Sequence, residues 1–492
     1  MNAFDYLFSE SLELDKNFVL GAGQEVSFRQ LYHDSLAIAA FLKARAGEHR
    51  NILLIGHNSG FFIKAYLGII RSGNICIPVN PAIEPSNLKH ILEETGCQYV
   101  FSGKLPGPVS SLLRDQQQVE AIFLEDDLQT ICRTPVSAGP DPAFDGDRTA
   151  EIIFTSGSTG WPKGVMISHK NICANTTSII SYLGLTDSDI MAVVLPFYYC
   201  YGLSLLHTHL KAGGSLVLHE NFMLLGAFIQ DLKRYRCTGF AGVPSHFQIL
   251  LRKSGTFLRS DLPDLRYVTQ AGGKLHDVFI EEFLAAFPHI DFYVMYGQTE
   301  ATARLGCLPP DLIRSKLGSI GKGIPGVLLQ VVDDQLRPVL PGRTGEVIAR
   351  GDNIMKGYYK DPESTAKVLR DGWLFTGDLA TLDEDGYIFL VGRKKEIIKV
   401  GGQRVSIKEI EEVILSVPEV VDCTVEGVYD DLLGESIKAT VVLGGTQDGM
   451  DMKDKILQVC SSRLSLFKIP RIIQFENSLK TNGAGKKVKV VI

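Results

Sequence analysis

Four hydroxyls, three glycines and one lysine are packed into Thr155-Ser156-Gly157-Ser158-Thr159-Gly160-Trp161-Pro162-Lys163-Gly164, directly after the apolar run Glu151-Ile152-Ile153-Phe154. Glycine allows positive φ and close backbone approach. Hydroxyls and free N–H groups in such a loop can therefore converge on phosphate oxygens, while Lys163 adds a mobile positive charge. The chain contains no Gly-x4-Gly-Lys-Ser/Thr, and no Gly-x-Gly-x-x-Gly that opens a helix after a strand. A Walker loop and a Rossmann turn are thereby excluded. A plain Ser/Gly surface loop has the same composition; the functional reading is a nucleotide phosphate site of another kind.

Such a loop needs a rigid sheet to hold it. Asn51-Ile52-Leu53-Leu54-Ile55-Gly56 reads as a buried strand, Phe61 to Ser72 as a helix, and Ile75-Cys76-Ile77-Pro78-Val79 as the next strand. This alternation predicts an α/β fold with at least one mainly parallel sheet. The Pro-, Gly- and Asp-rich stretch from Thr134 to Asp147 reads as a surface loop before the strand at 151–154. From about Gly326 to Leu390 strands dominate between turns at Pro341-Gly342, Asp371-Gly372 and Asp385-Gly386, a more antiparallel region. The charged run Gly392-Arg393-Lys394-Lys395-Glu396 then precedes a fresh α/β pattern. The expected division is a large N-terminal domain, 1–393, and a small α+β domain, 394–492, of ordinary domain size.

Composition bounds the function. The 492 residues are 45 % hydrophobic and 22 % charged, as in globular proteins, and exceed a single typical domain. A net charge of −6 gives no footprint for nucleic acid. Nine dispersed cysteines without a CxxC pair point neither to zinc nor to a disulfide framework, and fit a reduced cytoplasmic setting. Met1-Asn2-Ala3-Phe4-Asp5 is not the start of a secretory signal, and no apolar run approaches the roughly 20 residues of a membrane span.

The loop at 155–164 resembles the phosphate loop of the acyl-adenylating superfamily: acyl-CoA synthetases, adenylation domains of peptide synthetases, and luciferases. Further motifs of that superfamily follow in order. They are Tyr296-Gly297-Gln298-Thr299-Glu300, Gly345-Glu346 with Gly357-Tyr358, Trp373-Leu374-Phe375-Thr376-Gly377-Asp378, Gly392-Arg393-Lys394-Lys395 with Gly401-Gly402, and Gly485-Lys486. The resemblance covers nearly the whole chain and implies a mobile small domain.

It also implies roles. Thr155 to Gly160 and Lys163 would hold phosphates, and Thr299 would contact the α-phosphate. Glu300 would coordinate Mg²⁺, a hard cation suited to carboxylate and phosphate oxygens. Tyr296, followed by Gly297, would stack on adenine beside Gly272 and Gly273. Asp378 would accept from the ribose hydroxyls with help from Arg393. Taken singly, Tyr296 also reads as a core aromatic, Asp378 as a turn residue, and the tail Asn482-Gly483-Ala484-Gly485-Lys486-Lys487 as a solvated basic end. By resemblance Lys486, with Lys487 the alternative, reaches the reacting carboxylate. Lys395 falls at the family's hinge, and Lys399 with Gly401-Gly402 would enter the site after the small domain rotates.

For the acyl pocket the resemblance points to Tyr199, Cys200, Val243, Gly272 and Gly273. Tyr199 stands where many acyl-CoA ligases carry His, and Cys200 about where α-amino-acid-activating domains place Asp. An acid without an α-ammonium group is therefore expected. Arg304 is placed to meet a second carboxylate, although a structural salt bridge is the commoner use of such a residue. The expected reaction joins ATP to a carboxylic acid, releases pyrophosphate and passes the acyl group to CoA. Transfer to a carrier protein supplied in trans is the alternative, and a catalytically silent nucleotide-binding protein the third reading. Gly345 to Trp373 lacks the long insertion of relatives that do not use CoA, which ranks CoA first.

Overall fold

The computed structural model describes residues 1–21, 25–136, 139–155, 161–219, 222–394, 397–400, 403–430, 434–444 and 449–479. Strands Asn51–Ile55 and Ile75–Val79 flank helix Gly60–Arg71, as their apolar runs predict. The Ser59 hydroxyl accepts from the Phe62 amide and so satisfies one of the helix's orphan donors. These elements enter a seven-stranded sheet ordered Gly357–Tyr358, Lys163–Ser168, Thr149–Thr155, Ile75–Val79, Asn51–Ile55, Tyr99–Ser102 and Ala121–Phe123. Its inner pairings are parallel, but Lys163–Ser168 returns antiparallel to Thr149–Thr155. Thr155 faces Lys163 across the mouth of that hairpin, which frames the glycine-rich loop from both sides.

A second, nine-stranded sheet places four mutually parallel strands side by side: Ile190–Val193, Gly239–Gly242, Tyr267–Gln270 and Asp291–Tyr296. Their carboxyl ends share one edge. The segments leaving that edge carry Tyr199 and Cys200, Val243, Gly272 and Gly273, and Thr299 and Glu300. Open parallel sheets bind ligands at that edge, because the chain there must leave the ladder and expose backbone groups.

The region after Gly326 is antiparallel, as expected: Val327–Val332, Gly345–Gly351, Trp373–Leu382 and Ile388–Arg393 pair in succession, with Leu369–Arg370 beside Trp373–Leu382. Past Arg393 the ladder changes. Ile397–Val400 belongs to a separate sheet with Gln403–Ser406, Gly434–Leu443, Val420–Asp430 and Ile472–Phe475. The whole is the expected α/β architecture with mainly parallel sheets, an antiparallel region and a small α+β C-terminal part. The small part is fastened by polar contacts: Lys274 to Glu412 at 2.9 Å, and Arg252 Nη1 donating to the carbonyls of Pro418 (2.7 Å) and Val420 (3.0 Å). All nine cysteines are free. Among the described residues no helix is long and apolar enough to cross a membrane.

One buried polar cluster binds the helices to the phosphate-loop strand. Tyr66 Oη donates to Glu151 Oε2 at 2.8 Å and lies 2.8 Å from His207 Nε2. It thereby ties helix Gly60–Arg71, strand Thr149–Thr155 and helix Cys200–Ala212 together. Burial raises the Glu151 carboxyl to about 7, with the Tyr66 hydrogen bond opposing it, and burial lowers His207 to about 3. A folded state that favours protonated Glu151 loses that advantage as pH rises from its unfolded value, near 4.5, through 7. His207 has the opposite sign, since its stability contribution is lost as pH falls below about 6.5. Glu151→Gln removes only the first effect. Its melting temperature relative to wild type should therefore climb between pH 5 and pH 8, and a constant difference across that range would contradict the assignment.

Candidate active site

The short 3₁₀ turn Thr299–Ala301 brings Glu300 beside the phosphate-loop hairpin. Glu300 Oε1 accepts a 2.8 Å hydrogen bond from Tyr358 Oη. The Tyr358 ring in turn lies 5.3 Å from Lys163 Nζ. Burial and then the Glu300 carboxylate push the Tyr358 phenol up, so it stays a donor to Glu300. Lys163 pairs with Asp361 at 3.2 Å and donates to Ser364 Oγ. Hydrogen bonds from Ser364, with Lys163 beside them, hold Asp361 down at about 2. Tyr358 thus connects the expected metal carboxylate to the expected phosphate lysine.

Glu300 Oε2 has no hydrogen-bond partner among the described residues and is half-exposed. No group of three or more His, Cys, Asp or Glu that could hold a metal occurs among the described residues. A lone free carboxylate oxygen does not make a protein cage, but it suits Mg²⁺ held chiefly by nucleotide phosphates.

The turn that presents Glu300 is strained. Thr302 adopts φ 62°, ψ −54°, and the Ala303 amide donates to the Ala301 carbonyl at 2.6 Å. This is a γ-turn of the rare positive-φ kind, unfavourable for a β-branched residue. Asn353, 2 % exposed, holds it closed. Its Nδ2 donates to Arg304 O (2.6 Å) and Ala301 O (3.3 Å), while its own carbonyl accepts from Thr302 Oγ1 at 2.7 Å. Gly297 lies under the same turn, where a Cβ would stand 2.0 Å from Ala303 O, so only glycine fits.

Tyr296, at the end of its strand, is buried and donates to Asp378 Oδ2 at 2.6 Å. Asp378 Oδ1 accepts from Arg393 Nε at 3.0 Å. Burial and the Asp378 charge push the Tyr296 phenol well up. Tyr296 is therefore also the packed aromatic that its sequence context allowed. Each Asp378 oxygen keeps a lone pair to offer beyond these contacts. Next along the chain, Lys394 is tied back to the antiparallel sheet by its amide to Gly377 O (3.0 Å) and by Nζ to Glu346 (2.7 Å).

Cys200 Sγ lies 3.5 Å from Thr299 Oγ1, so the expected acyl-pocket residue touches the turn that carries Glu300. Tyr199 caps helix Cys200–Ala212 with extended backbone and packs against Tyr198. Asn58, which sequence reasoning missed, braces the segment before it, donating to Leu195 O and accepting from Phe197 N, both at 2.8 Å. Val243 caps helix Pro244–Lys253. Gly272 turns at φ +87°, and Gln270 Nε2 donates to Gly273 O at 2.7 Å. His246, also missed, is stripped of its proton affinity by burial, to about 4. Ser156 to Gly160, Lys395, Gly401, Gly402, Lys486 and Lys487 lie outside the described residues, as does the side chain of Lys399.

Residues 10–359 match the AMP-binding enzyme family, and residues 409–486 the AMP-binding enzyme C-terminal domain. The chain belongs to the AMP-binding enzyme family. It is 27 % identical to the long-chain-fatty-acid–CoA ligase of Escherichia coli O157:H7 over 514 positions, 96 % of this chain and 90 % of that one. It is 30 % identical to a feruloyl-CoA synthase of an Amycolatopsis species over 476 positions, 95 % of this chain and 93 % of that one. Its fold matches the crystal structure of the anthranilate CoA ligase AuaEII in complex with anthranoyl-AMP. The TM-score is 0.92 at 24 % identity, covering 99 % of this chain and 95 % of that one. It is an AMP-forming acid–CoA ligase of the acyl-CoA synthetase kind.

One expectation for the ligase needs correction. Arg304 is 2 % exposed, but it forms no ion pair among the described residues; its partners are Met295 Sδ, Ala303 O and the Tyr201 ring. The backbone turn at 302, rather than a salt bridge, sets its position. Asn353 escaped sequence reading because an isolated Asn after Gly351-Asp352 looks like any loop residue. Asn353→Ala should cost on the order of 1–3 kcal/mol of stability through orphaned buried carbonyls. Pyrophosphate exchange should fall at least tenfold as Glu300 drifts from its place. Exchange at the wild-type rate in a destabilised variant would disconnect the turn from catalysis.

Proposed function

We propose that this ligase activates a carboxylic acid lacking an α-ammonium group, with a large domain of residues 1–393 binding ATP and acid and a small domain of 394–492 exchanging faces between two steps. The convergence of Lys163, Tyr358, Glu300, Thr299 and Cys200 at the carboxyl edge of the parallel strands carries this reading. On this reading phosphate-binding charge, a metal-competent carboxylate and the acyl pocket would lie within one side chain of each other, which the contacts among these residues support.

A carboxylate cannot acylate a thiol directly, because oxide would have to leave. In the first step a carboxylate oxygen bonds to the α-phosphorus of ATP, the bond to the bridging oxygen breaks, and pyrophosphate departs. In the second, a thiolate sulfur bonds to the acyl carbon and AMP leaves. The residues' task is to position two anions and to match charge that grows in transit. Thr155 to Gly160 and Lys163 hold the phosphates; Lys163 exchanges Asp361 for them. Thr299 donates to the α-phosphate, Tyr296 and Gly297 border adenine with Gly272 and Gly273, and Asp378 and Arg393 take the ribose. Mg²⁺, when bound at Glu300 and the phosphates, offsets phosphate charge. Tyr199, Cys200 and Val243 line the acid's side. No acid stands at 200 to receive an ammonium. The free cysteines accord with a reducing cytoplasm.

Lys486 supplies the charge at the reacting carboxylate. Lys486→Ala should slow acid-dependent ATP–pyrophosphate exchange by about 10²–10³, the loss typical of one transition-state stabiliser, with acid and ATP binding little changed. Abolition by Lys487→Ala instead, with Lys486→Ala near wild type, would move the role one residue along.

Lys395 is the proposed hinge. Lys394 is tied to the antiparallel sheet while Ile397 already pairs in the small one, so rotation must be absorbed between them. Proline fixes φ near −65° and removes an N–H. Lys395→Pro should keep exchange within roughly tenfold, about 1.4 kcal/mol of barrier, while thioester formation, which needs Lys399 and Gly401-Gly402 at the site, falls far more. Equal loss of both steps, followed on the same preparation with CoA as acceptor, would make Lys395 an ordinary structural position.

A further inference from the structure

Arg304 carries a charge that its surroundings do not balance. Guanidinium stays protonated at any physiological pH, and an ion buried without a counter-charge is among the costliest arrangements in a fold. Nevertheless Arg304 is 2 % exposed, and among the described residues no Asp or Glu pairs with it. Nε donates to the Met295 thioether at 3.3 Å, a weak acceptor, and Nη1 to Ala303 O at 3.3 Å. The buried Tyr182 hydroxyl is a further, uncharged neighbour of the guanidinium. The guanidinium lies 4.0 Å from the centroid of Tyr201, and a cation–π contact offsets only part of the lost hydration.

Its position matters as much as its charge. Tyr201 follows Cys200, whose sulfur touches Thr299. The Tyr201 hydroxyl donates to Thr269 O at 3.0 Å, just before the Ala271-Gly272-Gly273 turn. The Arg304 backbone is itself held, its carbonyl accepting from Asn353 at 2.6 Å and Asn175 at 3.4 Å. A fork of donors is thus held beside the segments that carry Cys200, Thr299 and Gly272-Gly273, four residues beyond Glu300.

We propose that Arg304 is a specificity-determining residue, and that the acid activated here carries a second anionic group, distal to the reacting carboxylate, which the guanidinium receives. A carboxylate matches the fork with two parallel hydrogen bonds and supplies the missing counter-charge. An acid of the same shape with an apolar end leaves the guanidinium unbalanced in a closed pocket. This inference rests on the adenylating reading above.

The test is pyrophosphate exchange with matched pairs: succinate, glutarate, adipate and the 1,3- and 1,4-benzenedicarboxylates, each beside the monoacid bearing methyl in place of the distal carboxylate. The wild-type ligase should favour the diacid at least tenfold in kcat/KM in one or more pairs. In that pair Arg304→Met should raise KM for the diacid about 10- to 100-fold with kcat within threefold, and should improve the methyl partner. Arg304→Lys, which keeps the charge but loses the fork, should recover part of the preference. A wild-type preference below tenfold in every pair, or a Met variant that loses both members equally, overturns the assignment while leaving adenylation standing. Exchange with no acid of any kind would instead bring down the adenylating reading, and this inference with it.

Discussion

The buried hydrogen bond from Tyr296 to Asp378, 2.6 Å long, is the contact on which the geometry of the nucleotide end depends. A carboxylate enclosed to this degree must have its lone pairs filled and its charge answered. Tyr296 supplies the first from the end of a parallel strand. Arg393 supplies the second from the last residue of the antiparallel sheet. Two sheets of different architecture thereby meet at this one carboxylate. The same bond sets where the chain departs for the small part, since Lys394 leaves from Arg393 already tied to Gly377 and Glu346.

Around this joint the structure spends stability to place function. Thr302 sits in a backbone conformation that costs about 1–3 kcal/mol, and Asn353 is committed to keeping it there. In return Glu300 and Arg304 leave one tight turn in opposite roles. Glu300 faces Tyr358 and the phosphate hairpin; Arg304 lies across Tyr201 beneath the acyl side. A relaxed loop would present neither with comparable precision.

The docking of the small part adds a second constraint. Lys274, next to the Gly272-Gly273 turn, holds Glu412, and His276 faces Glu411 at 3.8 Å with both groups buried. Burial, with the Glu412 carboxylate reinforcing it against Lys274, lifts Asp277 to about 6. Any rotation about 394–397 must exchange these contacts for others. The Gly272-Gly273 turn and the small part are therefore energetically linked, because a desolvated pair cannot be left half-made.

Fold class, the alternation of strands and helices, and the strand that leads into the glycine-rich loop were legible in the chain itself. Local apolar periodicity and runs of Gly, Ser and Thr encode them without reference to distant residues. The order of motifs from 155 to 486 likewise pointed to the family that the chain belongs to. What a linear reading could not supply was pairing between residues from 49 to 139 positions apart. Tyr358 reaches Glu300, Asn58 braces 195–197 and Asn353 locks 301–304. Arg304 shows the division most clearly. Its charge was plain from the sequence, and a salt bridge was the natural expectation. Only the packed fold decided that it would be buried against a tyrosine ring with no acid paired to it among the described residues, because the partners of a buried charge are chosen by which strands and turns meet in space.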